Sequence, residues 1–284
     1  MEIINPKDAY SFLRISQKAL EEDEVNGNLI LGLSNVLTQN QYTYGNETPF
    51  YSIAYENRDI SIIGLMTPPK KLLLYEYKNL NDGVMELFAN NLYSKYINIT
   101  GVTGEIDVVK LFVEKWTKIT GCSYKVDMNL RVYKLTEVNK YDRPNGLFRS
   151  AEIGDIGIIT KFVSEFNIAI NELENNERLN EIIENGVANN EIFVWENKNI
   201  VSMARKQRPT KHGMAVSGVY TPVEYRSKGY VTAVVAELSQ NILNSGKSFC
   251  TLYTDLSNTT SNSIYQKIGY NPICDHISYR FEHK

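Results

Sequence analysis

The chain has 284 residues, 43% hydrophobic and 22% charged, with a formal net charge of −3. That length has room for two domains of ordinary size, and the balance is that of a globular protein with no global field drawing it to nucleic acid or anionic lipid. Cys122, Cys250 and Cys274 lie far apart and the chain has only three histidines, which argues for reduced, buried thiols in a cytoplasmic protein and against a metal site such as zinc.

Met1 to Asn28 is acidic at Glu21, Glu22 and Glu24 and has no basic start before an apolar core, so it does not read as a signal peptide. No apolar run is long enough to span a bilayer. Phe50–Tyr55 and Asp59–Thr67 read as two strands of a hairpin joined at Glu56–Arg58. A helix is predicted over Val108–Ile119, closed by Gly121, with a strand following through Tyr133. Turn chemistry at Tyr141-Asp-Arg-Pro-Asn-Gly146 marks a boundary, giving expected domains of 1–140 and 145–284.

The C-terminal part is clearer. Asp155 is placed to cap a helix carrying Ile156, Ile159, Phe162, Val163 and Phe166 on one face. A second helix is predicted near Glu177–Asn185, with Gly186 at its exit. Ile192–Trp195 and Ile200–Ala204 read as strands around the turn Glu196–Asn199, and Met214–Thr221 as a third. Val231, Val234, Val235, Leu238 and Ile242 form the stripe of a helix. Phe249–Thr254 is a strand, Asn258–Ile268 a helix closed by Gly269, and Ile277, Tyr279 and Phe281 alternate on a last strand. The order αα-βββ-α-β-α-β implies a mixed α/β fold, mostly antiparallel with one crossover. Gly64-Leu-Met-Thr-Pro68 has the spacing of Gly218-Val-Tyr-Thr-Pro222, which suggests that the first half repeats the second in degraded form.

The turn after Pro222 carries the chemistry. Arg226-Ser-Lys-Gly229 leads from a strand end directly into a helix. Helix-first N–H groups lack intrahelical acceptors and sit at the positive end of the dipole, so this order builds an anion site. Arg226 and Lys228 add positive charge, and Gly229 lets the backbone approach a ligand. Downstream, Asn258, Ser261, Ile264, Tyr265, Gly269 and Tyr270 keep a fixed spacing.

Together these motifs resemble the GNAT superfamily of N-acyltransferases. The resemblance covers the C-terminal half with specific motifs and the N-terminal half in outline. It implies two GNAT-like domains, each a mixed, mostly antiparallel sheet flanked by helices, the first without the phosphate turn. It implies that Ser227, Lys228, Gly229, Tyr230 and Val231 cradle the pyrophosphate of acetyl-CoA as cosubstrate, with Arg226 ordering the loop. Val231 departs from the small residue usual in that family place. Val219, Tyr220 and Thr221 would line the pantetheine arm, and an N–H near Val219 or Tyr220 would polarise the thioester carbonyl. Gly218 fits the accompanying bulge. Asn258 would bond the pantetheine amide, Ser261 leave room for its chain, and Tyr265 serve as general acid to the departing thiolate.

The reaction so implied is transfer of an acetyl group to a primary amine of a small molecule or peptide, with neither nucleic acid nor membrane as partner. The amine must first lose a proton, and the sequence offers Glu172, Glu174, Glu224 and Asp255 as bases, with Glu172 and Asp255 foremost. Arg205, Lys206, Arg208, Lys211 and His212 cluster on one loop and suit a CoA phosphate, an acidic acceptor or plain solvation. Two alternatives stand: a non-enzymatic acyl-CoA sensor, and a glycine N-acyltransferase-like enzyme using longer acyl-CoA. Acceptor and oligomeric state are left open.

Overall fold

A computed structural model describes residues 1–39, 47–95, 97–169 and 176–282. Its first ten elements are β1 (Glu2–Ile4), α1 (Ala9–Glu22), α2 (Asn28–Thr38), β2 (Phe50–Glu56), β3 (Asp59–Met66), β4 (Leu72–Glu76), α3 (Asp82–Ser94), β5 (Gly101–Glu105), α4 (Ile106–Thr120) and β6 (Ser123–Leu135). The next ten are β7 (Leu147–Ser150), α5 (Ile156–Ala169), α6 (Asn176–Ala188), β8 (Ile192–Asn197), β9 (Asn199–Gln207), β10 (Gly213–Tyr220), α7 (Tyr230–Asn244), β11 (Phe249–Asp255), α8 (Thr259–Ile268) and β12 (Asn271–Glu282). Each series runs strand, two helices, three strands, helix, strand, helix, strand. The fold is mixed α/β, and the second series repeats the element order of the first.

Two compact units form. Unit 1 holds Met1–Val132, Tyr253–Asn258 and Pro272–Lys284; unit 2 holds Tyr133–Leu252 and Thr259–Asn271. In unit 1 the strand order is β1-β2-β3-β4-β5-β12. All neighbours are antiparallel except β4 and β5. Alternation along the strands serves two cores. Ile63 and Leu65 pack with Phe12, Leu20 and Leu31 of α1 and α2. Ile62, Leu72 and Leu74 pack with Phe88 of α3 and with Phe112 and Trp116 of α4.

Ile277, Tyr279 and Phe281 of β12 alternate into that second core, and β12 pairs with β5. The last strand of the sequence therefore completes the sheet of unit 1, and unit 1 is built from three stretches of chain instead of one continuous N-terminal half.

In unit 2 the order is β11-β10-β9-β8-β7, with β10 and β11 parallel and the other pairs antiparallel. Ile159 and Phe162 of α5 and Leu179 and Ile183 of α6 pack on Val194 and Met203. On the other face Val234, Val235, Leu238 and Ile242 of α7 pack with Trp195, Val216, Leu252, Tyr265 and Ile268.

Four local readings change. Asp155 ends a short 3-10 turn, where it accepts from Glu152 N at 2.8 Å and pairs with Arg149 at 2.6 Å, instead of capping α5. The helix expected to leave at Gly186 continues to Ala188, and the turn falls at Asn190, whose φ is 51°. The 141–146 segment packs onto unit 2: Tyr141 and Arg143 donate to Glu237 of α7, and Trp195 Nε1 donates to Asn145 O. Finally, Gly64–Pro68 lies at the end of β3, antiparallel to both neighbours, whereas by element order β10 corresponds to β4. The matched spacing had set unlike strands against each other.

Candidate functional site

The site in unit 2 begins with a defect in β10. Its pairing with β9 runs Ala215↔Gln207, Val216↔Lys206, Ser217↔Arg205, then jumps to Tyr220↔Met203. Gly218 and Val219 thus stand opposite the single residue Ala204, a bulge that takes backbone groups out of the ladder. Gly218 has φ of 55°, a left-handed conformation that favours glycine. On the other side, the parallel ladder with β11 covers only Gly213–Ala215 against Phe249–Thr251. The remaining residues of β10, Val216 to Tyr220, run on beyond it.

A buried hydroxyl braces the exit from the bulge. Ser202 on β9 has no solvent exposure. Its Oγ donates to Tyr220 O at 3.2 Å and shares a hydrogen bond of 2.8 Å with Thr221 Oγ1. From there a 3-10 turn, Val223–Tyr225, leads into the basic loop. Arg226 Nε donates to Thr221 O at 3.0 Å, and Lys228 Nζ to Glu224 O at 2.9 Å. Both cations are therefore anchored to the loop's own carbonyls. Ser227 and Gly229 have φ of 60° and 80°.

Gly229 is the N-cap of α7 and has no side chain to satisfy the helix start. The N–H groups of Tyr230, Val231 and Thr232 have no acceptor within the helix, whose first internal bond is Ala233 N to Gly229 O at 3.0 Å. Gly229 is exposed, and an added Cβ there would come no closer than 3.8 Å to Pro144. The need for glycine is conformational, and the space above the helix start is open. The Val231 side chain is half-buried along the stripe that continues through Val234 and Val235. An exposed helix N-terminus with uncapped N–H groups and two adjacent cations fits a nucleotide diphosphate.

On α8, Tyr265 is buried in the unit 2 core and meets Tyr270 edge-on at 6.0 Å. Burial pushes its phenol up to about 12, so it holds its proton through the whole neutral range. Ser261 lies one turn earlier on the same helix. Asp255 and Asn258 belong to unit 1. Asp255 Oδ1 accepts from Ser257 N at 2.8 Å and its carbonyl from Asn258 N at 3.1 Å, so the carboxylate shapes a turn. Glu172 and Glu174 lie outside the described residues.

Of the cations expected on the loop before β10, Arg205 and Lys206 lie on β9 itself, where Arg205 pairs with Glu191 at 2.6 Å and Lys206 sits over the Phe193 ring at 5.2 Å. These contacts favour a structural use of those two residues. The buried thiol of Cys250 is pushed up to about 12 by desolvation, as is that of Cys274, which suits neither for a nucleophilic role.

One carboxylate bonded to a side chain that flanks the bulge escaped the sequence reading. Glu165 on α5 accepts from Tyr220 OH at 2.9 Å. Burial, and secondarily this carboxylate, raises the Tyr220 phenol above its ordinary value. Glu165 sits between Phe162 and Phe166 on an apolar-striped helix, and nothing in its local pattern separates it from a solvated helix residue.

Residues 198–279 match the family model described as FR47-like protein. The search of curated proteins gave no match. Among solved structures, the chain resembles an acetyltransferase from the GNAT family of Colwellia psychrerythraea, with TM-score 0.61, 13% identity and full coverage of both chains. It resembles a GCN5-related N-acetyltransferase from Sphaerobacter thermophilus, with TM-score 0.65, 13% identity, and 98% of this chain and 95% of that chain covered. It also resembles a tandem GNAT protein from the clavulanic acid biosynthesis pathway, with TM-score 0.56, 7% identity, and 99% and 98% coverage. Bulge, open helix start, element order and matched segment agree: the chain carries the GNAT fold in two GNAT-like halves, and its C-terminal half contains an FR47-like segment.

Proposed function

We propose that this chain is an N-acyltransferase that moves an acetyl group from acetyl-CoA to a primary amine of a small molecule or peptide. The observation that carries the reading is the uncapped start of α7 placed directly after the bulged strand β10. The N–H groups of residues 227–231 hold the pyrophosphate, and Arg226 keeps the loop in shape by its bond to Thr221 O. Val219 and Thr221 offer main-chain bonds to the pantetheine arm, and the N–H released at the bulge stabilises the oxyanion. Asn258 and Ser261 keep the roles that the motif implies for them.

Tyr265 donates to the sulfur as the C–S bond breaks. A phenol near 12 is a weaker acid than an ordinary thiol at about 8.5, so complete transfer to a thiolate is uphill by on the order of 5 kcal/mol. Tyr265 therefore acts chiefly as a hydrogen-bond donor to developing negative charge. Tyr265→Phe is expected to lower kcat about 100-fold, the low end of general-acid effects, while CoA affinity measured by calorimetry changes less than twofold. Unchanged turnover would remove Tyr265 from this role.

The direct test is thiol release from acetyl-CoA by the purified full chain across an amine panel, repeated with longer acyl-CoA. Release with an amine present supports transfer, and preference for the longer thioesters points to the glycine N-acyltransferase-like alternative. Cofactor binding without release from any thioester supports a sensor.

A further inference from the structure

We infer that Glu165 is the group that takes the proton from the acceptor's ammonium, and that Tyr220 holds it in place for that task. The inference rests on the amine acyl transfer proposed above and supplies its missing base.

The argument starts at the bulge. Tyr220 is the residue at which β10 regains its β9 partner, and its carbonyl is fixed by Ser202. Its backbone thus lies beside the released N–H that polarises the thioester carbonyl. Its phenol leads to α5, packs on Phe162 with ring centres 5.7 Å apart, and donates to Glu165 Oε2 at 2.9 Å. The carboxylate therefore stands one tyrosine side chain from the place of acyl transfer. It is 37% exposed, so an amine reaches it from solvent. The other oxygen, Oε1, is 3.9 Å from Lys161 Nζ, beyond hydrogen-bond range, and is not committed by that contact. Arg226 and Glu224 of the turn act electrostatically on the same phenol with opposite signs. Asp255, by contrast, is tied into its own turn.

The step balances as follows. The ammonium R–NH3+ gives one proton to Glu165, and the freed lone pair attacks the carbonyl carbon. The C–S bond breaks with its electron pair on sulfur. A second nitrogen proton leaves as the amide forms and balances the proton that ends on the thiol. Glu165 returns its proton to solvent. Tyr220 is a positioning residue: it holds Oε2 and leaves Oε1 to meet the amine.

The test uses the full chain with acetyl-CoA and acceptors whose ammonium pKa descends from the lysine value of about 10 to below the assay pH. Glu165→Gln is expected to lower turnover at least 100-fold for the most basic acceptors, and less than 10-fold for those already neutral. CoA affinity and melting temperature should stay at wild-type values. Tyr220→Phe should show the same trend with a smaller loss, and Glu165→Asp should recover part of the activity. An equal loss across the series, or no loss, would overturn the assignment while leaving acyl transfer standing. Absence of thiol release by the wild-type chain with every acceptor would overturn acyl transfer itself, and this assignment with it.

Discussion

The two series of elements, β1–β6 and β7–β12, share one succession but differ at one strand and one helix start, and the contrast marks what the proposed ligand site depends on. In unit 2, β10 is bulged against β9 and leaves β11 after three paired residues. In unit 1, the corresponding β4 runs against β3 without a break, from Ile62↔Glu76 to Leu65↔Leu73. Its parallel ladder with β5 is shorter still, Leu72↔Val102 and Leu73↔Thr103, but there the strands stay close: a Cβ added at Gly104 of β5 would overlap the Leu74 carbonyl oxygen. The helix starts differ in the same sense. Gly229 leaves α7 uncapped, whereas Asn81 Oδ1 accepts from Val84 N at 3.0 Å at the start of α3. Asp82 follows with a negative charge, paired to Lys115 at 2.7 Å. A phosphate approaching α3 would meet a carboxylate and a filled cap. Beside Leu74 of β4 and Gly104 of β5, unit 1 has a cavity of about 10 Å³ lined also by Asn26, Tyr75 and His276, room for one water.

The comparison breaks most visibly at Gly229. Gly229→Glu places a side chain where φ is 80° and a negative charge at the phosphate position. CoA affinity should fall more than 100-fold by calorimetry, and wild-type affinity would refute the cradle. In unit 1, Gly104→Ala forces β4 and β5 apart. A loss of about 2–3 kcal/mol is expected, of the size seen for overpacked cores, and read as a lowered urea midpoint with CoA affinity retained.

His276 gives the next effect. It is buried, its Nε2 bonds Asn26 Oδ1 at 2.7 Å, and its Nδ1 has no hydrogen-bond partner among the described residues. Burial lowers its pKa from 6.5 to about 4. The folded state therefore favours the neutral ring. Its contribution is whole above pH 6.5 and is lost as pH falls from 6.5 toward 4, by about 2 kcal/mol at pH 5. Thermal melts between pH 7 and 5 should show this slope, and His276→Gln should flatten it. Last, Asn81→Ala should cost about 1 kcal/mol through loss of the cap, measured by urea unfolding, with no change in CoA binding.

Much of unit 2 was legible because its signals are local. The stripe from Val231 to Ile242, the Glu196–Asn199 turn, and the glycine before a helix each state their geometry within a few residues. Gly218 revealed a bulge because only glycine sits readily at φ of 55°. Unit 1 was less legible. α1, α2, α3 and β5 went unread, and so did β4, where Leu72-Leu-Leu is too short a run to separate strand from helix. Thr67-Pro68 copied the sign of a ligand strand while ending an ordinary one. Glu165 was hidden because its partner, Tyr220, is 55 residues away in sequence. The allegiance of β12 was hidden too: alternation at Ile277, Tyr279 and Phe281 announces a strand and an apolar side, but not which neighbour the strand chooses.

That choice governs how the protein is made. Until Pro272 and the residues after it leave the ribosome, β5 has no partner on the side that β12 will occupy, and the apolar groups of Phe112 and Trp116 lack the cover of Phe281. An unpaired strand edge invites association with other chains. The strand that covers this edge of unit 1 is thus made only after the segments of unit 2.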